Sequence, residues 1–261
     1  QSLAHAFPLM RGVELTKQLL NENKQVTVLE LSKILNASVS TIRNDLTKLE
    51  KDGLLTKTHG EAILLKEENK YVSFSDRLLK NAIEKEDIAN LAITHISDGQ
   101  CIILDASSTA LFLAKKLHNF KRLTVITNGL YTALELKDNP NINVILTGGL
   151  LSKNSYSLEG LLGQNLLKSI HADICFVSAK GFTINEGLTD FNVYEAELKK
   201  LLVQRSKKLI ALLDNSKLDL ISVANFAKTD DIDLIITDSN ASSDLIERYR
   251  NNNLNISIAG N

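Results

Sequence analysis

From residue 101 to residue 259 the chain repeats one alternation: a short apolar, largely β-branched run, then a stretch with apolar residues at helical spacing. The runs are CIILD (101–105), LTVIT (123–127), NVILTGG (143–149), DICFVSAKG (173–181), KLIALLD (208–214), DLIITD (233–238) and NISIA (255–259). Helical stretches cover 109–117, 130–136, 161–167, 193–204 and 244–250, with a helical lead-in at 74–79 and 83–96 that ends at Asp98 and Gly99. Continuously apolar strands separated by helices predict a mostly parallel sheet covered on both faces. With 261 residues, 44% of them hydrophobic, the chain can bury that core and a satellite domain as well.

Ligands of such sheets bind beyond the carboxyl ends of the strands, and the polar residues of this chain gather there. Asp105, Ser107, Ser108 and Thr109 follow the first run, Thr127 and Asn128 the second, and Thr147, Gly148 and Gly149 the third. Ser178, Lys180 and Gly181 follow the fourth, Asp214, Ser216 and Lys217 a later one, and Glu195 and Lys199 stand one turn apart on the intervening helix. Taken alone, Ser107 to Thr109 also reads as a plain helix cap, the glycine pair as a turn, and Glu195 with Lys199 as a solvated i,i+4 pair. Five strand ends finishing in small, polar or charged residues argue together for a pocket that takes an anion with several hydroxyls, with Lys180 and Lys217 neutralising charge.

Ahead of this, residues 26–60 read as two helices joined by a tight turn. Val28, Leu31, Ile34 and Leu35 recur at helical spacing, and Ser38 can cap a second helix over about 39–52, ended by Gly53. That helix turns Val39, Ile42, Leu46 and Leu49 inward and Ser40, Thr41, Arg43, Asn44, Thr47 and Lys48 outward. An apolar stripe behind short polar groups and an arginine is what a helix in the DNA major groove requires. Two short apolar runs, 54–57 and 62–65, flank His59 and Gly60 as a hairpin wing that can set Lys57 and His59 against phosphates. Residues 11–23 read as the first helix of the same head.

Between Arg11 and Gly60 eight Lys and Arg face six Asp and Glu, a surplus of two, and the whole chain carries a formal −1. One head should therefore bind DNA weakly, so useful binding calls for two or more on one site, in a homo-dimer or homo-tetramer.

The residues Ser38, Val39, Ser40, Thr41, Ile42, Arg43, Asn44, Asp45 and Leu46, then Leu49, Glu50, Gly53, Leu54, Leu55, His59 and Gly60, resemble the DeoR-type transcriptional regulators. The likeness runs on through Asp105, Ser108 and Thr109, Thr127 and Asn128, Gly148 and Gly149, Glu159 and Gly160, Gly187 to Thr189, Glu195 with Lys199, and Ser216 with Lys217. It implies a winged helix-turn-helix head and an effector domain similar in fold to ribose-5-phosphate isomerase, which binds a phosphorylated sugar that switches the head. By the same resemblance Ser107, Ser108 and Thr109 take the phosphate, and Asp105, Asn128, Lys180, Glu195 and Lys217 meet hydroxyls or the remaining charge. Asn44 stands where a second Arg is usual, Glu61 where a second Gly is, Ser107 and Ser178 where Gly is frequent, and Lys180 where Asp is common. These departures bear on which bases and which sugar phosphate are read.

Other classes fit less well. An isomerase needs a carboxylate base with a second proton-moving group, and the turn at 178–181 holds no carboxylate, which leaves Glu195 without a partner. A dinucleotide sensor would show Gly-x-Gly-x-x-Gly after the first strand, where 105–110 contains no glycine. The five histidines have no metal-ligand spacing, and Cys101 and Cys175 read as buried free thiols. The chain has no run of about eighteen apolar residues that could span a membrane, and a cytoplasmic location fits the free thiols.

Met10 is the only methionine and the helical pattern starts right after it, so residues 1–9 are expected to be an appended remnant. The expected division is then a DNA-binding head at 10–65, a linker at 66–80 and an α/β sensor at 81–261. The expected function is a repressor of a carbohydrate-utilisation operon, with no catalytic residue, no metal and no cofactor beyond its effector.

Overall fold

The computed structural model describes residues 25–34, 38–51, 55–58, 61–64, 74–152, 155–160 and 162–260, and the chain divides into two compact units, Gln1–Tyr71 and Val72–Asn261. In the first unit β1 (Gln25–Thr27) leads into α1 (Val28–Ile34), and α2 (Val39–Lys51) is followed by β2 (Leu55–Thr58) and β3 (Glu61–Leu64). The Ser38 hydroxyl accepts the Thr41 amide at 3.1 Å and so starts α2 as its cap. Ile42 and Leu46 are buried and Val39 is half-buried, the inward face that the spacing predicts. The wing is an antiparallel pair in which Thr56 faces Ile63, and β1, which periodicity did not reveal, adds to β3 to make three strands. The expected helix at 11–23, the inward positions Leu31, Ile34, Leu35 and Leu49, the stop at Gly53 and the boundary run at 66–70 lie outside what is described.

The second unit opens with α3 (Phe74–Leu79) and α4 (Ala82–Ala92), separated by Asn81 in a left-handed conformation at φ 54°. Seven strands then form one sheet: β4 (Cys101–Leu104), β5 (Leu123–Thr127), β6 (Ile142–Leu146), β9 (Ile174–Val177), β12 (Leu209–Leu212), β14 (Leu234–Asp238) and β15 (Ile256–Ala259). Their order is β15-β14-β12-β9-β4-β5-β6, and every pairing is parallel. Side chains alternate along each strand, so one sheet serves two cores. Ile103, Cys175, Val177, Ala211 and Ile235 join one with Leu198 and Leu202 of α8 (Val193–Gln204) and Ile246 of α9 (Ser243–Asn251). Ile102, Leu104, Phe176, Ile210 and Ile236 join the other with Ile88 of α4 and Leu111 of α5 (Ser108–Ala114). Burial on both faces is why these runs show no polar alternation.

Remaining elements are α6 (Leu130–Leu136), α7 (Gln164–Lys168), the small antiparallel pair β7 (Leu150–Leu151) with β8 (Leu158–Glu159), and an antiparallel sheet of β10 (Gly181–Thr183), β11 (Gly187–Asp190) and β13 (Ala224–Ala227). Several expectations change. The run at 173–181 is two strands in different sheets, because the chain leaves the parallel sheet after Val177. The helix expected at 109–117 stops at Ala114. Cys175 is buried, but Cys101, at the open start of β4, is only half-buried. Among the described residues no helix is long and apolar enough to cross a membrane.

The first strand of the sheet, β4, is followed on one side by β5 and β6, after which the chain returns to its other side with β9 and continues outward through β12, β14 and β15. The order therefore reverses between β4 and β9, the position at which sheets of this kind bind ligands.

Candidate functional site

On α2 the groups expected to meet DNA stand outward. Ser38, Ser40, Thr41, Arg43 and Asn44 are exposed. Thr47 is half-buried and its hydroxyl donates to the Arg43 carbonyl at 2.6 Å, so that proton is committed to the helix itself. The side chains of Lys48, Lys57 and His59 lie outside what is described.

In the second unit, Leu104 of β4 pairs with Thr127 of β5 and with Phe176 of β9, which brings the loops after all three strands together. Asp105 is the hub. Its Oδ1 accepts the Ser107 amide at 3.1 Å, and its Oδ2 accepts the Ser178 amide at 3.0 Å and lies 3.1 Å from Lys199 Nζ. Ser107 caps α5 by accepting the Ala110 amide at 3.0 Å, and Ser108 and Thr109 are buried beside it. A side chain at Gly129 would meet the Ala106 backbone at 3.0 Å, so the loops after β4 and β5 pack directly. In that second loop Asn128 donates its amide to the Leu158 carbonyl at 3.2 Å, while its Oδ1 is buried without a hydrogen-bond partner among the described residues.

Glu195 and Lys199 are not a solvated pair. Both are about as buried as core residues, and Lys199 Nζ reaches Asp190 Oδ2 at 2.7 Å, the Ser178 carbonyl at 2.9 Å and Glu195 Oε1 at 3.7 Å. Burial lowers the Lys199 pKa, but Asp190, Asp105 and Glu195 outweigh it and hold the ammonium above its ordinary value. Burial pushes Glu195 up to about 7 against the pull of Lys199. Glu195 therefore does have carboxylate company, Asp190 and Asp105, joined to it through one lysine; the expectation that it stood alone fails because β11 returns Asp190 to this edge.

A second group surrounds Asp214. Its Oδ1 accepts from Asn81 at 2.8 Å and from the Ser216 amide at 3.2 Å, and its Oδ2 is buried with no hydrogen-bond partner among the described residues. Burial raises the Asp214 pKa, but Lys217, Ser216, Asn81 and Lys85 hold it below the ordinary carboxylate value. Lys217 donates to the Ala179 carbonyl at 3.1 Å, and burial, helped by Lys180 and Arg77, draws its pKa down against Asp214. Lys180 itself is exposed.

The glycines also shape the backbone. Gly149, at φ 138°, would drive a side chain to 2.6 Å from the Glu159 carbonyl, and one at Gly181 would come to 2.4 Å from that of Leu220. With Gly148 at φ 74°, the pair makes the turn into the β7–β8 hairpin, and Gly181 admits a neighbouring backbone. Among the described residues no cluster of His, Cys, Asp or Glu is arranged to hold a metal ion.

Comparison with known proteins decides the family. The DeoR-like helix-turn-helix domain matches residues 14–68, and the DeoR C terminal sensor domain matches residues 80–239. The chain belongs to the DeoR family. It is 56% identical over 253 residues to the HTH-type transcriptional regulator GolR of Listeria innocua, covering 97% of this chain and 99% of that one. It is 36% identical over 232 residues to the HTH-type transcriptional repressor GlcR of Bacillus subtilis, covering 88% and 89%. Among solved structures, ribose 5-phosphate isomerase A from Methanocaldococcus jannaschii is similar at a TM-score of 0.40 and 18% identity, over 53% of this chain and 55% of that one, a likeness too slight to carry an argument. This DeoR-family protein is a DNA-binding transcriptional regulator, not an enzyme, and its second unit is a sensor domain for a small-molecule effector.

Four residues of the DeoR-family sensor escaped the sequence reading. Asp190 follows Gly187, Leu188 and Thr189, one residue beyond those that carry the family likeness. Arg77, Asn81 and Lys85 lie in the lead-in helices, where only helical spacing was legible. Lys85 is buried and donates to the Arg77 and Lys80 carbonyls at the end of α3; burial pushes its pKa down to about 8 against the pull of Asp214. An asparagine breaking a helical pattern was the one available signal for Asn81.

Proposed function

We propose that this regulator is a cytoplasmic repressor of a carbohydrate-utilisation operon, controlled by a phosphorylated sugar held at the carboxyl edge of the parallel sheet. The observation that supports this reading most is that Asn128 Oδ1, Glu195 Oε2 and Asp214 Oδ2, all acceptors on that edge, are buried without a hydrogen-bond partner among the described residues. Each such acceptor costs roughly 1–3 kcal/mol until a donor arrives, and an array of hydroxyls supplies donors on several sides. Lys217, Lys180 and Arg77 gather positive charge beside these acceptors and suit a phosphate. In this reading Ser108 and Thr109 bind the phosphate oxygens, Asn128 and Glu195 bind hydroxyls, and Lys217 neutralises charge.

On the DNA side Ser40, Thr41, Arg43 and Asn44 face the bases and phosphates of an operator, with Lys48, Lys57 and His59 adding backbone contacts. A homo-dimer or homo-tetramer brings two such heads to a palindrome about one helical turn apart. Thermal unfolding against a panel of pentose, hexose and triose phosphates tests the effector assignment. At least one sugar phosphate raises the melting temperature where the parent sugar does not; a panel with no such member contradicts it.

A further inference from the structure

The ammonium of Lys199 is engaged by the protein itself. It donates to Asp190 Oδ2 at 2.7 Å and to the Ser178 carbonyl at 2.9 Å, and it lies 3.1 Å from Asp105 Oδ2 as an ion pair. Glu195 Oε1 lies 3.7 Å from the same nitrogen, beyond hydrogen-bond reach. The other oxygen, Oε2, is buried with no partner among the described residues. Of the three carboxylates around Lys199, Asp105 and Asp190 also accept backbone amides, from Ser107 and Ser178 and from Phe191. Glu195 is the member that the fold leaves incomplete.

We propose that Glu195 is the specificity-determining group of the effector site, its Oε2 accepting a hydroxyl of the sugar phosphate, while Lys199 is a positioning residue that holds Asp105, Asp190 and the Ser178 turn and does not touch the ligand. This deepens the sugar-phosphate reading above and rests on it. It also separates two residues that the sequence placed together as ligand contacts.

Proton linkage follows from the surroundings of Glu195. Lys199 faces it from its own helix, Asp190 from β11, Arg77 from α3 and Asp105 from the end of β4. Burial raises its pKa to about 7, Lys199 and Arg77 oppose the rise, and Asp190 and Asp105 add to it. Without ligand, a carboxyl whose folded pKa is raised from 4.5 to about 7 stabilises the fold fully below 4.5, and that contribution is lost as pH rises through 7. A hydroxyl donated to Oε2 favours the ionised form, so binding expels a proton and effector affinity rises with pH, by at most about tenfold per unit, levelling above 7. The phosphate's own second ionisation near pH ~6 acts in the same direction, which makes comparison with Glu195→Gln necessary.

The experiment is thermal unfolding of the full chain and of Glu195→Gln from about pH 5.5 to about 8.5. Each is measured alone, with inorganic phosphate, and with ribose 5-phosphate, fructose 6-phosphate and dihydroxyacetone phosphate. Without ligand, the wild-type melting temperature falls relative to the variant by about 3 °C or more across that range. A sugar phosphate raises the wild-type value more at high pH than at low, and the variant loses that excess together with most of the shift. The response to inorganic phosphate is the same in both. Parallel ligand-free curves overturn the proposal, and so do sugar-phosphate shifts that persist undiminished in Glu195→Gln. Absence of any sugar-phosphate shift in the wild-type protein overturns the sugar-phosphate reading itself and the hydroxyl assignment with it.

For Lys199, replacement by Met leaves carboxylates unpaired and can prevent folding, so Lys199→Met is also paired with Asp190→Asn. The paired variant regains melting temperature and keeps affinity for the same sugar phosphate within about threefold, whereas loss beyond about thirtyfold in a folded variant marks a direct contact. In Lys199→Met alone, the midpoint of the pH profile moves upward, because the charge that holds Glu195 down is gone; an unmoved midpoint counts against the assignment.

Discussion

A lysine with 3% of its side chain exposed, surrounded by three carboxylates, is the costliest group in the sensor to disturb. Removing one partner of a buried ion pair leaves charges uncompensated. Lys199→Met alone is therefore expected to lower unfolding stability by about 3–5 kcal/mol in urea titrations. Thr109 gives the opposite expectation. Valine has nearly its shape, so Thr109→Val should leave the fold and DNA affinity in place and remove the melting-temperature response to a sugar phosphate. Lys217→Ala should do likewise, because its charge is proposed to neutralise the phosphate and it is not among the groups paired with Lys199. The spacing of Glu195 and Lys199 was legible in the sequence as one helical turn, but not their burial. Burial is decided by Asp190, which arrives on an antiparallel strand that no periodicity announced, and by the Ser178 carbonyl, where the chain leaves the sheet.

At the scale of elements, α2 is a helix with one face given to packing and one to solvent. Arg43→Ala, on the outer face, is expected to abolish specific DNA binding while changing stability by no more than about 0.5 kcal/mol, as exposed substitutions do. Ser38→Ala removes the cap and should cost about 1 kcal/mol, read from the same urea titrations. Helices with a clear apolar period were readable, with or without a side-chain cap. The sequence placed helices at 130–136 and 193–204 and the structure has them there, the second capped by Asn192, whose side chain accepts the Tyr194 amide at 2.9 Å. The three- and four-residue strands β10, β11 and β13 were beyond reach, since a run such as ANFA at 224–227 carries too few residues to show a period of two. The parallel strands were readable for the reverse reason: burial on both faces makes them continuously apolar.

For the whole molecule the question is linkage between two units that the chain joins between Tyr71 and Val72. A sugar phosphate can alter DNA affinity only by binding the DNA-competent and DNA-incompetent arrangements unequally, and DNA must then alter sugar-phosphate affinity by the same factor. The most direct test is fluorescence anisotropy with an operator selected from random-sequence DNA. It is titrated with the wild-type protein in the absence and presence of each sugar phosphate that raises the melting temperature. The account predicts that at least one of them changes the DNA dissociation constant by about tenfold or more, roughly 1.4 kcal/mol of coupling, and that Thr109→Val abolishes the change. A sugar phosphate that stabilises the protein yet leaves DNA affinity within about twofold would contradict it.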